Sequence, residues 1–392
     1  MNIKYCTGLI LLTVSFCAYG QNRASVPAVR KHRTEAAYRI DVSTAYREKA
    51  GATLSQICDD IEFLPLETTD ECLLDRDLAI TVTGTDIFIY DYNKGYRFDR
   101  NGKFLNSIGT RGQGPAELIK PMRMTVDTLN RQVYFLDDGK IVKYDCDGNY
   151  LETVKTESGR FMFDLITPGL FLMDYPYYMF AKPKERFSMY FYSEKEKKPL
   201  SRFSCDYDRK IPAMAICFPI SYKYNDNLYL KDYWSDTVYV ADGIYDAYVY
   251  AVIQKGNLVP RDVPDRSLVQ GGKPLPEDRL ILDVSTVNEF SRYILLYTNK
   301  GVFIFDKKEN RTWLDEYRDF NLDFENDLYG GSLPRHPEKM DDDRAITYAF
   351  PGQMVIKNSH KITDGRYDRY AEMVGRLDPE DNPVLMILKL KK

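Results

Sequence analysis

Histidine is scarce in this chain: 392 residues contain three, His32, His336 and His360. A metal centre built on several imidazoles, or a hydroxyl nucleophile with an imidazole base, therefore has little to draw on. His32 falls in an N-terminal leader and His336 in a loop, leaving His360 as the one nearest a regular element. No G-x-S-x-G is present to frame a serine nucleophile. Cysteine numbers seven, without a C-x-x-C or any tight cluster, which excludes a zinc knuckle or a disulfide framework. Basic excess is absent too, with 54 Lys+Arg against 58 Asp+Glu and a net charge of −4, so nucleic acid is not an expected partner. The longest apolar run, Gly8 to Phe16, is too short for the roughly 20 residues of a membrane-spanning helix.

That run has another use. Lys4, the apolar stretch and the small residues of Ala18-Tyr19-Gly20 form a secretory signal over residues 1–20, cut before Gln21. Cys17 offers a rival, a lipid anchor, but bulky Phe16 precedes it where lipoprotein processing needs a small residue. Export to the periplasm or cell surface is expected, with residues 21–58 as leader and lead-in and 59–392 as the folded body. Residues 21–35 read as a loose polar leader. The exported chain keeps five cysteines, an odd number that suits buried thiols.

Aromatic residues are abundant, with 31 Tyr and 20 Phe, and they recur in a pattern. Ile87-Phe88-Ile89-Tyr90-Asp91 matches Val133-Tyr134-Phe135-Leu136-Asp137, and Phe98-Asp99-Arg100-Asn101-Gly102 matches Tyr144-Asp145-Cys146-Asp147-Gly148. Asp91 to Asp137, Asp99 to Asp145 and Gly102 to Gly148 are each 46 residues apart. Asn-Gly and Asp-Gly accept the positive φ angles of tight hairpins, and Tyr, Phe, Ile and Val suit a pleated sheet. A small sheet repeated every 40–50 residues or so cannot bury both faces alone and stacks radially.

Weaker copies follow at Leu170–Asp174 with Met189–Tyr192, Leu228–Leu230 with Thr237–Gly243, and Tyr293–Tyr297 with Val302–Asp306. A last group holds Ala345–Phe350, Met354–Ile356 and Val384–Leu388. The polar stretches Asn257–Asp278 and Trp313–Asp343 read as inserted loops, favouring six units over seven. The expected fold is all-β, a six-bladed β-propeller of four-stranded antiparallel blades. Ile61–Leu66 completes the blade built by residues 384–390, so that N- and C-terminal strands close the ring.

The spacing of Gly109, Gly112, Gly114-Pro115, Glu117-Leu118, Pro121, Val126-Asp127, Asp137, Tyr144-Asp145 and Gly148 resembles the NHL repeat, a propeller-blade module. Phe63–Thr69, Gly109–Glu117 and Asp381–Leu385, with Ser235–Tyr239, make the chain similar to exported six-bladed propellers of Gram-negative anaerobes, a largely uncharacterised family. The resemblance implies the architecture more than an activity. Related propeller lyases and hydrolases hold a channel metal through His and acidic residues, and this chain has three histidines to supply one.

Gly109–Pro115 lacks phosphate-loop spacing, runs toward strands and loses a donor at Pro115, so it reads as a connector between blades at one channel mouth. Arg111, Gln113, Glu117 and Arg123 are accordingly the candidate ligand-facing residues. Asp145–Asn149 and Met340–Arg344 lack calcium-loop order and read as solvated turns. The crowded Asp174-Tyr175-Pro176-Tyr177-Tyr178-Met179-Phe180 reads as packing before platform. The expectation is a monomeric, non-catalytic module that binds a glycan, peptide or protein, with no cofactor, no metal and no catalytic residue assigned. A channel-centred lyase or hydrolase is the alternative, and a structural envelope component a third.

Overall fold

Six four-stranded antiparallel sheets are arranged as blades around one axis. The computed structural model describes residues 26–49, 51–156, 162–174, 187–205, 218–232, 235–256, 258, 282–316, 324–330, 332–333, 335–354 and 365–392. The signal segment with Cys17, the Tyr175–Phe180 cluster, Cys217, Val355-Ile356 and His360 lie outside the described residues.

Each of the first five blades is laid down from the axis outward. The first holds Ala79–Val82, Asp86–Tyr90, Gly95–Asp99 and Phe104–Ile108, and the second Arg123–Asp127, Gln132–Asp137, Lys140–Asp145 and Tyr150–Lys155. Innermost strands of the third, fourth and fifth are Phe163–Thr167, Ile220–Tyr224 and Val284–Glu289. The sixth departs from this order. Glu338–Lys339, Arg344–Ala349 and Val384–Leu390 come from the C-terminal end, and Cys58–Pro65 supplies the outermost strand from the N-terminal end. Leu64 faces Leu385, Glu62 faces Ile387 and Asp60 faces Lys389 in that closing pair, which joins the two chain ends in one blade as expected.

Second strands are apolar without alternation because both faces of a blade meet a neighbour. Asp86–Tyr90 and Tyr293–Thr298 are buried at every residue. Phe88 and Tyr90 of the first blade pack with Met124, Phe135 and Tyr144 of the second. Thiols fill space in the same way, with Cys58, Cys72 and Cys146 buried.

The 46-residue repeat has a physical basis in the turn between third and fourth strands. Asp99 Oδ1 accepts from the N–H groups of Asn101 and Lys103 at 2.8 and 2.9 Å. Asp145 Oδ1 accepts from those of Asp147 and Asn149 at 2.9 and 2.8 Å. Gly102 and Gly148 take φ of 81° and 91° one step later. A Cβ on Gly102 would stand 2.5 Å from Pro65 O, and one on Gly148 2.6 Å from Ser107 O. Each turn is thereby seated against the outermost strand of the preceding blade.

The N-terminal lead-in is where the sequence reading needs correction. From Ala28 on, it is a strap rather than a loose leader. Ala28 bridges Arg202 of the third blade, Arg30–His32 pairs in parallel with Asp246–Tyr248, and Tyr38–Asp41 with Ala251–Gln254. Asp246 clamps the strap, taking Arg30 Nε and His32 Nε2 at 2.7 Å each. Asp41 Oδ1 then accepts from Thr44 N at 3.0 Å and caps the helix Val42–Glu48, whose Val42 and Ala45 pack with Phe305 and Leu314 of the fifth blade. Parallel pairing of a polar Arg-Lys-His run leaves no local signature, which is why it escaped the pattern. Trp313–Asp343 is also more than a loop, since Trp313 sits in the outermost strand of the fifth blade and Glu338–Lys339 is the innermost of the sixth. A longer helix, Arg366–Val374, is inserted before Val384 and buries Tyr370 against Phe63.

Gly102→Ala and Gly148→Ala are each expected to lower unfolding free energy by about 1–3 kcal/mol through strain and backbone collision. Gly243→Ala, with φ of 64° but open space around it, loses less. Chemical denaturation of the three variants checks the ordering.

Candidate functional site: the axial channel and its mouths

The six innermost strands enclose the axis, and their side chains hydrogen-bond from blade to blade. Arg123 opens the innermost strand of the second blade, and its Nη2 donates to Asp164 Oδ1 of the third at 3.1 Å. Ser221 of the fourth blade donates to the other oxygen of Asp164. Lys223, two residues on, donates to the carbonyls of Leu165 and Ile166 at 2.8 and 3.3 Å. Lys339 of the sixth blade reaches back over the fifth to Lys223 O at 2.8 Å and pairs with Asp342 at 2.6 Å.

Alternation along a strand explains this placement. In Ile220-Ser221-Tyr222-Lys223-Tyr224, Ser221 and Lys223 turn toward the third blade, whereas Tyr222 turns toward the fifth and donates to Glu289 Oε2 at 3.0 Å. Glu289 is fully buried, and also takes Tyr250 OH at 2.5 Å and Lys307 Nζ at 3.0 Å. Burial, followed by the Glu289 charge, raises the Tyr222 phenol far above its ordinary range. It serves as a fixed donor in a satisfied buried network.

Glu338 is exposed to solvent, yet loss of hydration raises its carboxyl above the ordinary range, with Arg123 and Arg335 pulling the other way. Loss of hydration likewise lowers the ammonium of Lys223, opposed by Asp164 and Asp226. Lys339 is lowered for the same first reason, opposed by Asp342. His336, just ahead of the innermost strand of the sixth blade, lies edge-on to Tyr297 at 4.9 Å, and burial brings its imidazole down to about 4.

Connectors enter the innermost strands at one mouth and hairpin turns leave them at the other. At the turn-side mouth, a cavity of about 960 Å³ opens beside Lys223, Tyr224, Asp226, Lys339, Asp342 and Arg344. The Met340–Arg344 run is a turn in which each acid has its own partner. Asp341 takes Arg344 Nε at 2.7 Å, Asp342 takes Lys339, and Asp343 pairs with Lys392 at 2.7 Å.

Three of the candidates from the sequence share the connector at the other mouth. Arg111 is exposed and donates to Asn93 Oδ1 at 3.0 Å, and Gln113 is exposed beside it. Glu117 folds back to accept from Gly114 N at 2.7 Å, bracing the loop. Arg123 is separate, in the channel with Asp164. Asp164, Ser221, Lys223, Glu338 and Lys339 were not identified from the sequence. The one local signal was polar residues alternating with apolar ones in short strands such as Ile220–Tyr224.

A family model described as "Domain of unknown function (DUF4934)" matches residues 37–389. Among solved structures, the chain is similar to a candidate exported protein from Bacteroides fragilis, at 18% identity and a TM-score of 0.67, covering 93% of this chain and 100% of that one. It is also similar to a member of the DUF4221 family from Bacteroides vulgatus, at 9% identity and a TM-score of 0.52, covering 85% and 97%. These likenesses concern the fold. Virginiamycin B lyase from Staphylococcus aureus, at 10% identity, a TM-score of 0.41 and coverage of 84% and 99%, is too remote to argue from. No curated protein matches the sequence.

Glu338→Gln is expected to raise stability at pH 7. The folded state holds the Glu338 proton to higher pH than the unfolded chain, so unfolding free energy falls as pH rises through the carboxyl's raised range. The amide removes that loss, and the gain over the parent protein disappears in acid, where both carry neutral side chains. Thermal melts at pH 4 and pH 7 check it.

Proposed function

The chain belongs to the DUF4934 family, and we propose that it is an exported, non-catalytic binding module that holds a polar ligand at the turn-side mouth of its channel. The carrying observation is the cavity of about 960 Å³ whose wall presents ammonium groups, carboxylates and one aromatic ring together. A pocket of that size suits several residues of an extended chain. The mixed signs of charge favour a peptide carrying both, over a neutral glycan. Lys223 is the residue best placed to contribute affinity, because its ammonium rests on the neutral carbonyl oxygens of Leu165 and Ile166 rather than on a carboxylate. The Gly8–Phe16 run supports reading it as exported, and the spacing of Gly109–Gly148 supports an NHL-like blade. Among the described residues, no helix is long and apolar enough to cross a membrane.

A channel-centred lyase or hydrolase is the second reading, favoured by one observation: Glu338 raised and Lys223 lowered along one channel, as an acid and a base would be.

Peptide and glycan arrays probed with the labelled protein, followed by calorimetry on the hits, separate the two. Peptide binding weakened about tenfold by Lys223→Met, a loss of about 1.4 kcal/mol, supports the module. Turnover of an array hit that Glu338→Gln abolishes would contradict it.

A further inference from the structure

The connector-side mouth carries a strained aromatic residue that neither the ring nor the channel requires. Tyr92, in the turn between the second and third strands of the first blade, has φ of 64°. Bulky side chains rarely adopt that left-handed backbone, and holding one there costs free energy. The equivalent turn of the second blade places Gly139 in its left-handed position, at φ of 74°. Asp91 enforces the strain by accepting from the N–H groups of Asn93 and Lys94, both at 3.0 Å, while Tyr96 OH holds its other oxygen at 3.0 Å.

The strain holds the ring outward. Tyr92 keeps 51% of its surface exposed, and its inner side is backed by Tyr90 at 4.9 Å and 44°. Tyr90 is in turn anchored, its hydroxyl donating to Pro121 O at 2.7 Å. Arg111 lies alongside, an exposed residue whose Nη1 donates to Asn93 Oδ1. Asn93 follows Tyr92 directly in the chain, so its bond to Arg111 brings the guanidinium and the ring to the same turn.

We propose that Tyr92 and Arg111 form a sugar-stacking site, separate from the turn-side cavity, that takes one pyranose ring of a neutral glycan. The C–H face of a pyranose is weakly positive and packs on the electron-rich face of an aromatic ring. Its hydroxyls accept from the free guanidinium N–H groups. A rigid, singly backed ring beside a fixed donor array provides both contacts without ordering cost on the protein side. The half-exposed ring, presenting one face to solvent, favours a sugar over a hydrophobic peptide side chain.

Saturation-transfer NMR and calorimetry on the full chain test this with hexasaccharides of glucose, mannose, xylose and galactose, and with decaproline as the peptide probe. At least one sugar is expected to bind, with saturation strongest at ring C–H protons. Tyr92→Gly removes ring and strain together, so it abolishes sugar binding while leaving the melting temperature unchanged or higher. Tyr92→Phe keeps the stack and binds within about threefold, whereas Arg111→Ala weakens binding about tenfold. Lys223→Met leaves sugar binding intact, which keeps this test independent of the cavity. No sugar binding up to about 10 mM, corresponding to less than about 3 kcal/mol, overturns the proposal. Decaproline bound in place of sugars overturns it, as does a fall in melting temperature of more than about 2 °C in Tyr92→Gly, which would assign the ring to structure.

Discussion

One hydrogen-bonded pairing, between Val384–Leu390 and Cys58–Pro65, joins the two ends of the chain and turns an open row of blades into a ring. Without it the sixth blade would expose a nearly continuous apolar strand at its edge, buried at every residue but Lys389 in the closed form. The inter-blade clusters depend on it in turn. Ile61, Tyr293, Leu295, Val384 and Met386 share one core across the fifth and sixth blades, and Leu66, Ile87, Phe98, Leu385 and Ile387 share another across the sixth and first. A long-range contact of this kind forms late in folding, because its loop-closure entropy must be met before its burial contributes.

The channel inherits its geometry from that closure. Its polar belt links the second, third, fourth and sixth blades through Arg123, Asp164, Ser221, Lys223 and Lys339, and each contact requires the blades it joins to be held in fixed positions. Loss of hydration there moves the carboxyl of Glu338 up and the ammonium of Lys223 down. Sites at the two mouths differ in character. The turn side presents mixed charge around a cavity, whereas the connector side presents an exposed ring held at a backbone angle that costs stability.

What was legible in the sequence was what is local. Asp99 and Asp145 bond to groups two and four residues away, and Gly102 and Gly148 answer a turn's own dihedral demand, so their spacing survives as a repeat. Closure was legible because an apolar strand so near the C-terminus needs a cover. The strap over the third to fifth blades was not, since Arg30–His32 carries no apolar pattern and is held by Asp246, more than two hundred residues away. The channel was hidden for a related reason. Its residues are scattered over innermost strands that are short and half polar, and Arg123 alone among them stood close enough to a glycine-rich connector to be noticed.

The ring as a closed unit is tested most directly by removing Val384–Lys392 and following unfolding by calorimetry and tyrosine fluorescence. Closure predicts that the shortened chain loses its single cooperative transition and exposes apolar surface to a hydrophobic dye. A single transition at the temperature of the full-length protein, with no gain in dye binding, would contradict it.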